Sequence, residues 1–171
     1  ARKYGVPVLP RGGGSSLAGQ AVGEAIVMDF TRHMRRVRGI NAETKSVDVE
    51  PGMILGLLNN QLAGMDLMFG PDPASAERAA IGGIVSNNST GAHSIRYGMT
   101  ADYIKRMQVV LANGEKVWLD ESTESLNQIR AKVSQLVTQH QTDIQTRYPK
   151  TWRTVAGYAL DKIDPNDVNL N

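Results

Sequence analysis

Pro10-Arg11-Gly12-Gly13-Gly14-Ser15-Ser16-Leu17 follows a β-rich run at residues 6–10 and precedes Ala25-Ile26-Val27-Met28-Asp29, which reads as a buried strand. Three glycines between two strands leave backbone amides without neighbouring Cβ atoms, and Ser15 and Ser16 add hydroxyls. The stretch therefore has the outline of a cradle for anionic oxygens. No Gly-Lys-Ser/Thr follows, which excludes a Walker loop, and the glycines do not open the helix of a strand-helix-strand unit. A plain surface turn would carry the same residues, so the rest of the chain must decide.

Two further small-residue segments lie downstream. The first joins Pro71-Asp72-Pro73-Ala74-Ser75 to Ile81-Gly82-Gly83. The second is Asn87-Asn88-Ser89-Thr90-Gly91-Ala92-His93-Ser94-Ile95-Arg96-Tyr97-Gly98. Three glycine-bearing loops exceed what turns alone require. They suit a large cofactor lying across the domain, with amides for phosphate and apolar walls for a ring system.

Around these loops the pattern alternates between strand and helix without the regularity of a doubly wound sheet, which predicts an α+β fold. Residues 37–40 and 46–50 read as strands joined by 41–45. Pro51-Gly52 ends them before apolar residues at helical spacing, Ile54, Leu57, Leu58 and Leu62. Residues 80–88 predict a short helix with bare backbone at its start, and 91–98 an irregular loop. Residues 105–111 and 116–119 flank Ala112-Asn113-Gly114-Glu115, predicting a hairpin closed by a type I′ turn. Leu126, Ile129, Val133, Leu136 and Val137 predict one amphipathic helix from Ser122 to about Gln145, capped by Ser122 or Thr123.

The chain has 171 residues, 41% of them hydrophobic and 21% charged, as in one ordinary globular domain. Nineteen Lys and Arg against seventeen Asp and Glu are too nearly balanced for a nucleic-acid surface. The basic cluster Arg32-His33-Met34-Arg35-Arg36-Val37-Arg38 lacks interleaved aromatics and reads as a solvated rim. With no cysteine there is no disulfide, thiolate metal site or sulfur-linked cofactor. No apolar run approaches the length of a transmembrane segment. The cytoplasm is the default compartment, with peripheral membrane association of the full-length protein left open. Ala1 to Gly5 reads as the last turn of a helix with a glycine stop, and the chain closes on a polar run, so truncation at both ends is expected.

The ordered set of motifs resembles the FAD-binding domain of the vanillyl-alcohol oxidase/para-cresol methylhydroxylase (PCMH) type. Within that superfamily it is most similar to the FAD-linked D-lactate, glycolate and D-2-hydroxyglutarate dehydrogenases. The loops quoted above carry the resemblance, together with Val49-Glu50-Pro51-Gly52 and Val109-Val110-Leu111-Ala112-Asn113-Gly114-Glu115. It runs from about residue 5 to 119 and resumes at Val155-Ala156-Gly157-Tyr158-Ala159-Leu160.

The resemblance implies a truncated PCMH-type fold, with an N-terminal subdomain over about 1–52 and a second over about 53–171, the cofactor between them. It implies FAD contacts from Pro10, Arg11, Gly12, Gly13, Gly14, Ser15 and Ser16 at the pyrophosphate, and from Pro71, Asp72, Gly82, Gly83, Asn87, Gly91, Ser94, Tyr97 and Gly98 along the channel. Relatives that attach flavin through this loop carry histidine where Ser15 stands, so FAD is expected to be non-covalent. The family's Gly-Ser-Glu-Gly-Thr segment is expected soon after Asn171. The substrate domain, which would carry the catalytic base, is expected to lie outside these residues. By resemblance the intact enzyme oxidises a D-2-hydroxy acid, passing electrons to an unknown acceptor, and the fragment alone is inactive. The alternatives are another FAD-linked oxidase of the superfamily, for an aryl alcohol or sugar lactone, or a non-catalytic nucleotide-binding subunit.

Individual side chains remain open. His93 has no second histidine or carboxylate at ligand spacing, which favours a structural role in the loop over a metal or catalytic one. Arg11 suits a phosphate, a carboxylate such as Asp29, or solvent. Asp72 suits ribose hydroxyls, but between two prolines its commoner role is to fix the turn by accepting backbone amides, and the two roles are compatible. Trp118 reads as core.

Overall fold

The computed structural model describes residues 1–153 and 158–171. Val155, Ala156 and Gly157 of the Val155–Leu160 motif therefore lie outside the described residues. The chain forms two compact units, Ala1–Asp102 and Tyr103–Asn171.

In the first unit, a single 3-10 turn at Arg2–Tyr4 stops at Gly5, whose φ of 62° is the left-handed conformation expected of a glycine stop. Strand β1 (Val8–Arg11) pairs in parallel with β2 (Ile26–Asp29), from Val8 opposite Ile26 to Arg11 opposite Asp29. The glycine loop lies in the connection between them. β2 is not buried: Ile26, Val27 and Met28 stay 44–48% exposed. An apolar run of this length signals a strand covered on both faces of a parallel sheet, but here the sheet has only two strands.

Strands β3 (Val37–Asn41) and β4 (Ser46–Val49) form an antiparallel hairpin, with a register shift between Val37 and Gly39. Helix α1 (Leu55–Leu62) lies on it. Leu58 and Leu62, one turn apart, join Met53 against Val37, Ile40, Val47 and Val49. On another side of α1, Leu55 meets Ala79 and Ile84. Burial of these aliphatic side chains contributes about 1.5–3 kcal/mol each. No side chain caps α1. The first-turn amides instead donate to carbonyls of the next segment, Leu55 to Ala79 (3.1 Å) and Gly56 to Ala76 (2.9 Å).

Helix α2 (Ile81–Ser86) and the single turn α3 (Ser94–Tyr97) follow, with 3-10 turns at Ala63–Met65 and Thr100–Tyr103. The turn α3 corrects the expectation that 91–98 is wholly irregular.

In the second unit, β5 (Gln108–Val110) and β6 (Lys116–Trp118) form the anticipated hairpin. Its turn is not type I′, which needs positive φ at both central residues. Of the Asn-Gly pair only Gly114 has it, at 88°. The Gly114 amide donates to Leu111 O (2.8 Å) and the Asn113 side chain accepts from the Glu115 amide (2.9 Å), giving a three-residue loop. Trp118 is half-buried rather than core, with the Arg106 guanidinium 3.9 Å from its ring centroid.

The expected long helix is two: α4 (Glu124–Gln139) and α5 (Gln141–Arg147), broken at His140, with Val137 and Ile144 buried on either side. Thr123 caps α4 by accepting from the Leu126 amide (3.3 Å). No helix among the described residues is long and apolar enough to cross a membrane.

Candidate functional site

The loop after β1 is held from behind. A Cβ at Gly12 would press on Ala80 Cβ, and one at Gly13 would run into the Arg78 carbonyl. These two glycines are thus required by backbone packing against residues 78–80. Gly14 takes φ 65° with the Arg11 guanidinium folded over it. Arg11 forms no ion pair with Asp29, although its charge helps hold that carboxyl below its ordinary value. The larger causes there are hydrogen bonds from the Thr31 hydroxyl (2.6 Å) and then the Thr31 amide (2.9 Å).

On the open side, Gly13, Gly14 and Ser15 are exposed and Ser16 is half-buried. Among the described residues, nothing hydrogen-bonds the amides of Gly13 through Ser16 or the hydroxyls of Ser15 and Ser16. Four consecutive free amides on a loop locked from behind are available to donate to an anion.

The start of α2, expected to be bare, is largely occupied. The Ile81 amide donates to Met53 O and the Gly82 amide to Pro51 O, each at 2.8 Å, and a Cβ at Gly82 would meet Pro51. Among the described residues nothing hydrogen-bonds the Gly83 amide, and the space where its Cβ would stand is open. Asn87 ends the helix with an exposed side chain.

Beyond α2 the candidates cluster around Pro71, which is fully buried. The Ser94 hydroxyl, itself buried, accepts from the Gly91 amide (3.0 Å) and donates to Pro71 O (3.2 Å). Gly91 lies so close to the Asp72 carbonyl that no Cβ would fit. Asp72 sits at φ 47°. Its carboxylate approaches His93 Nδ1 (3.1 Å) and among the described residues takes no backbone amide, which corrects the expected turn-fixing role. The His93 ring meets Tyr97 edge-on at 6.3 Å, and Arg96 lies over the Tyr97 ring. Gly98, at φ 81°, leaves room for the Asp102 carboxylate, which accepts from the Met99 amide (2.7 Å). No cluster of three or more metal-ligating side chains occurs among the described residues.

The structure therefore sorts the anticipated residues into two groups. Gly13, Gly14, Ser15, Ser16, Gly83 and Asn87 present free groups. Pro71, Gly82, Gly91, Ser94 and Gly98 are engaged inside the protein and shape the loops. The sequence reading missed Thr90, whose Oγ1 is buried without a hydrogen-bond partner among the described residues. A threonine directly before Gly91 was the available signal. It also missed Arg78, because a backbone carbonyl leaves no trace in residue type.

Residues 1–120 match the family described as "FAD binding domain". The chain belongs to that family. This FAD-binding domain is 33% identical over 162 residues to the D-2-hydroxyglutarate dehydrogenase of Escherichia coli (strain K12), covering 88% of the chain and 16% of that enzyme. It is 34% identical over 114 residues to the glycolate oxidase subunit GlcD of Bacillus subtilis (strain 168), covering 66% and 24%. To the D-lactate dehydrogenase of Anaerostipes hadrus it is 34% identical over 116 residues, covering 67% and 24%. Among solved structures, alkyldihydroxyacetonephosphate synthase superposes with a TM-score of 0.63 at 27% identity, over 75% of this chain and 26% of that one. The fold is the PCMH-type FAD-binding fold. The chain spans 16–18% of the D-2-hydroxyglutarate dehydrogenases it matches.

The residues present fit FAD. The free amides and hydroxyls at 13–16 suit a diphosphate, and the partnerless Thr90 Oγ1 offers one more polar contact in the segment after α2.

Proposed function

We propose that the domain holds the FAD diphosphate on the loop from Pro10 to Ser16, and that the intact enzyme oxidises a D-2-hydroxy acid to the 2-oxo acid. The observation that carries this reading is the run of four free amides on a loop fixed by Arg78–Ala80. The amide dipoles, the hydroxyls of Ser15 and Ser16 and the nearby Arg11 guanidinium neutralise the diphosphate and set its direction. Gly83 and Asn87 add contacts along α2. Pro71, Asp72, Gly91, Ser94, Tyr97 and Gly98 shape the channel together with their loop neighbours, and Gly82 does so against Pro51.

With serine at position 15 the cofactor stays dissociable. When bound, FAD supplies a two-electron acceptor, and this domain contributes binding and orientation. The substrate class is supported by the relatives named for D-2-hydroxyglutarate, glycolate and D-lactate, all of them 2-hydroxy acids.

The test is anaerobic addition of D-2-hydroxyglutarate, D-lactate or glycolate to the FAD-loaded intact enzyme, followed by visible absorbance. Bleaching by at least one of these, with L-lactate inert, is the expected result. An absorbance unchanged by all three would overturn the substrate class.

A further inference from the structure

Among the described residues, Glu50 is the buried carboxylate, 5% exposed, at the mouth of the β3–β4 hairpin and remote in sequence from every glycine loop. A buried charge is tolerated only when its oxygens are satisfied. Here one oxygen accepts from the Arg36 amide (2.8 Å) and the other from the Arg38 guanidinium (2.5 Å), while the Glu50 amide donates to Arg36 O (3.0 Å). The Arg36 hydrogen bond above all, and the Arg38 guanidinium after it, hold this carboxyl below its ordinary range against the opposing effect of burial.

The residues joined by this carboxylate belong to a closed circuit that begins and ends at the phosphate loop. From Arg11, whose carbonyl accepts from the Phe30 amide (3.0 Å), the chain runs to Met34 and Arg36. Met34 O accepts from the Gly52 amide (2.7 Å), and a Cβ at Gly52 would strike the Phe30 carbonyl. Pro51 O and Met53 O then accept the Gly82 and Ile81 amides, and residues 78–80 of the same segment back the loop at Gly12 and Gly13. The hydrogen-bonded links among the others are all backbone to backbone. Glu50 supplies the charged side-chain link, binding the 30–36 turn to the 50–53 turn.

We infer that Glu50 is a positioning residue for the phosphate loop: through the circuit it fixes the distance between Arg11 and residues 78–80, and hence the curvature at Gly13–Ser16. The inference rests on the FAD reading of that loop and extends it to a residue that touches no cofactor.

The experiment is FAD titration, followed by flavin fluorescence and visible absorbance, of the wild-type chain, Glu50→Gln and Val47→Ala. Each is measured at a temperature where circular dichroism shows it folded. Glu50→Gln replaces one acceptor oxygen with an amide donor that faces a donor. Val47→Ala trims the packing on α1 outside the circuit. Glu50→Gln is expected to weaken FAD binding at least tenfold and to shift the visible band of the flavin that still binds, while Val47→Ala binds within twofold of wild type. Should Glu50→Gln not fold, Arg38→Met removes one partner and keeps the Arg36 amide, with a threefold or greater loss expected. Wild-type affinity in the folded Glu50 variant, or in Arg38→Met where that variant stands in, overturns the inference. So does an equal loss in Val47→Ala. A wild-type chain that fails to bind FAD would instead sink the FAD reading, and this inference with it.

Discussion

Gly13 and Gly83 stand in adjacent glycine segments with opposite surroundings, so the same substitution should have opposite signs. An ideal Cβ at Gly13 would lie 1.8 Å from Arg78 O, whereas one at Gly83 meets nothing within 4 Å. Opening the Gly13 contact to the 3.0 Å that real Cβ atoms respect needs a shift of about 1.2 Å between two backbone segments. Neither segment can rotate away as a flexible side chain would. Overpacking of this kind costs about 1–3 kcal/mol and sometimes more, and the upper end applies because a backbone atom is struck. Gly83 lies in α2. There alanine gains about 0.5–1 kcal/mol by removing unfolded-state freedom. Urea denaturation followed by circular dichroism should therefore separate Gly13→Ala from Gly83→Ala by about 3.5–4 kcal/mol, with wild type between them. If Gly13→Ala is as stable as wild type, the glycine is not there for packing, and the locked-loop account is wrong.

Other consequences follow from the same geometry. Glu50 has a folded pKa below its ordinary value of 4.5, so its stabilisation is present above 4.5 and lost as pH falls through the lower folded value. The urea midpoint of wild type should drop over that acid range, and Glu50→Gln should start lower and drop less. Identical profiles would remove Glu50 from the acid transition. Leu126→Ala, at a fully buried site in the second unit, should cost about 2–5 kcal/mol in the same assay. Thr123→Ala deletes the α4 cap and should cost about 1 kcal/mol, and no loss would show that the 3.3 Å bond contributes nothing.

The strands, the α1 position and all three glycine segments were legible because period-two and period-three-to-four hydrophobic patterns are local properties of the chain. What eluded sequence reasoning was set by neighbours distant in sequence. Ile26, Val27 and Met28 announce an apolar strand, but their composition cannot tell how many strands lie beside it. Asn113-Gly114 marks the hairpin correctly, yet the Asn113 side chain, by accepting the Glu115 amide, shifts the turn to a three-residue loop. Nothing near His140 breaks helices by propensity, and α4 still ends there.

At the site, the glycines announced backbone exposure. The structure assigns Gly12, Gly82, Gly91 and Gly98 to close packing, gives Gly13 both a packed back and an open amide, and leaves Gly83 with open space beside it. Both uses demand the same residue, so the sequence alone could not divide them. Glu50 was visible within its motif, but its role depends on Arg36 and Arg38 folding back onto it across the hairpin.

The central claim is that the open amides of Gly13 to Ser16 receive a diphosphate, and Ser15→Asp tests it most directly. Position 15 is exposed and hydrogen-bonded to nothing described, so the substitution places a negative charge in the cradle without a packing defect. FAD titration of both proteins, with circular dichroism confirming equal folding, should give saturable binding by wild type and a loss of tenfold or more in Ser15→Asp. Equal affinity in the two would contradict the account, because a diphosphate seated on these amides cannot ignore a carboxylate beside them.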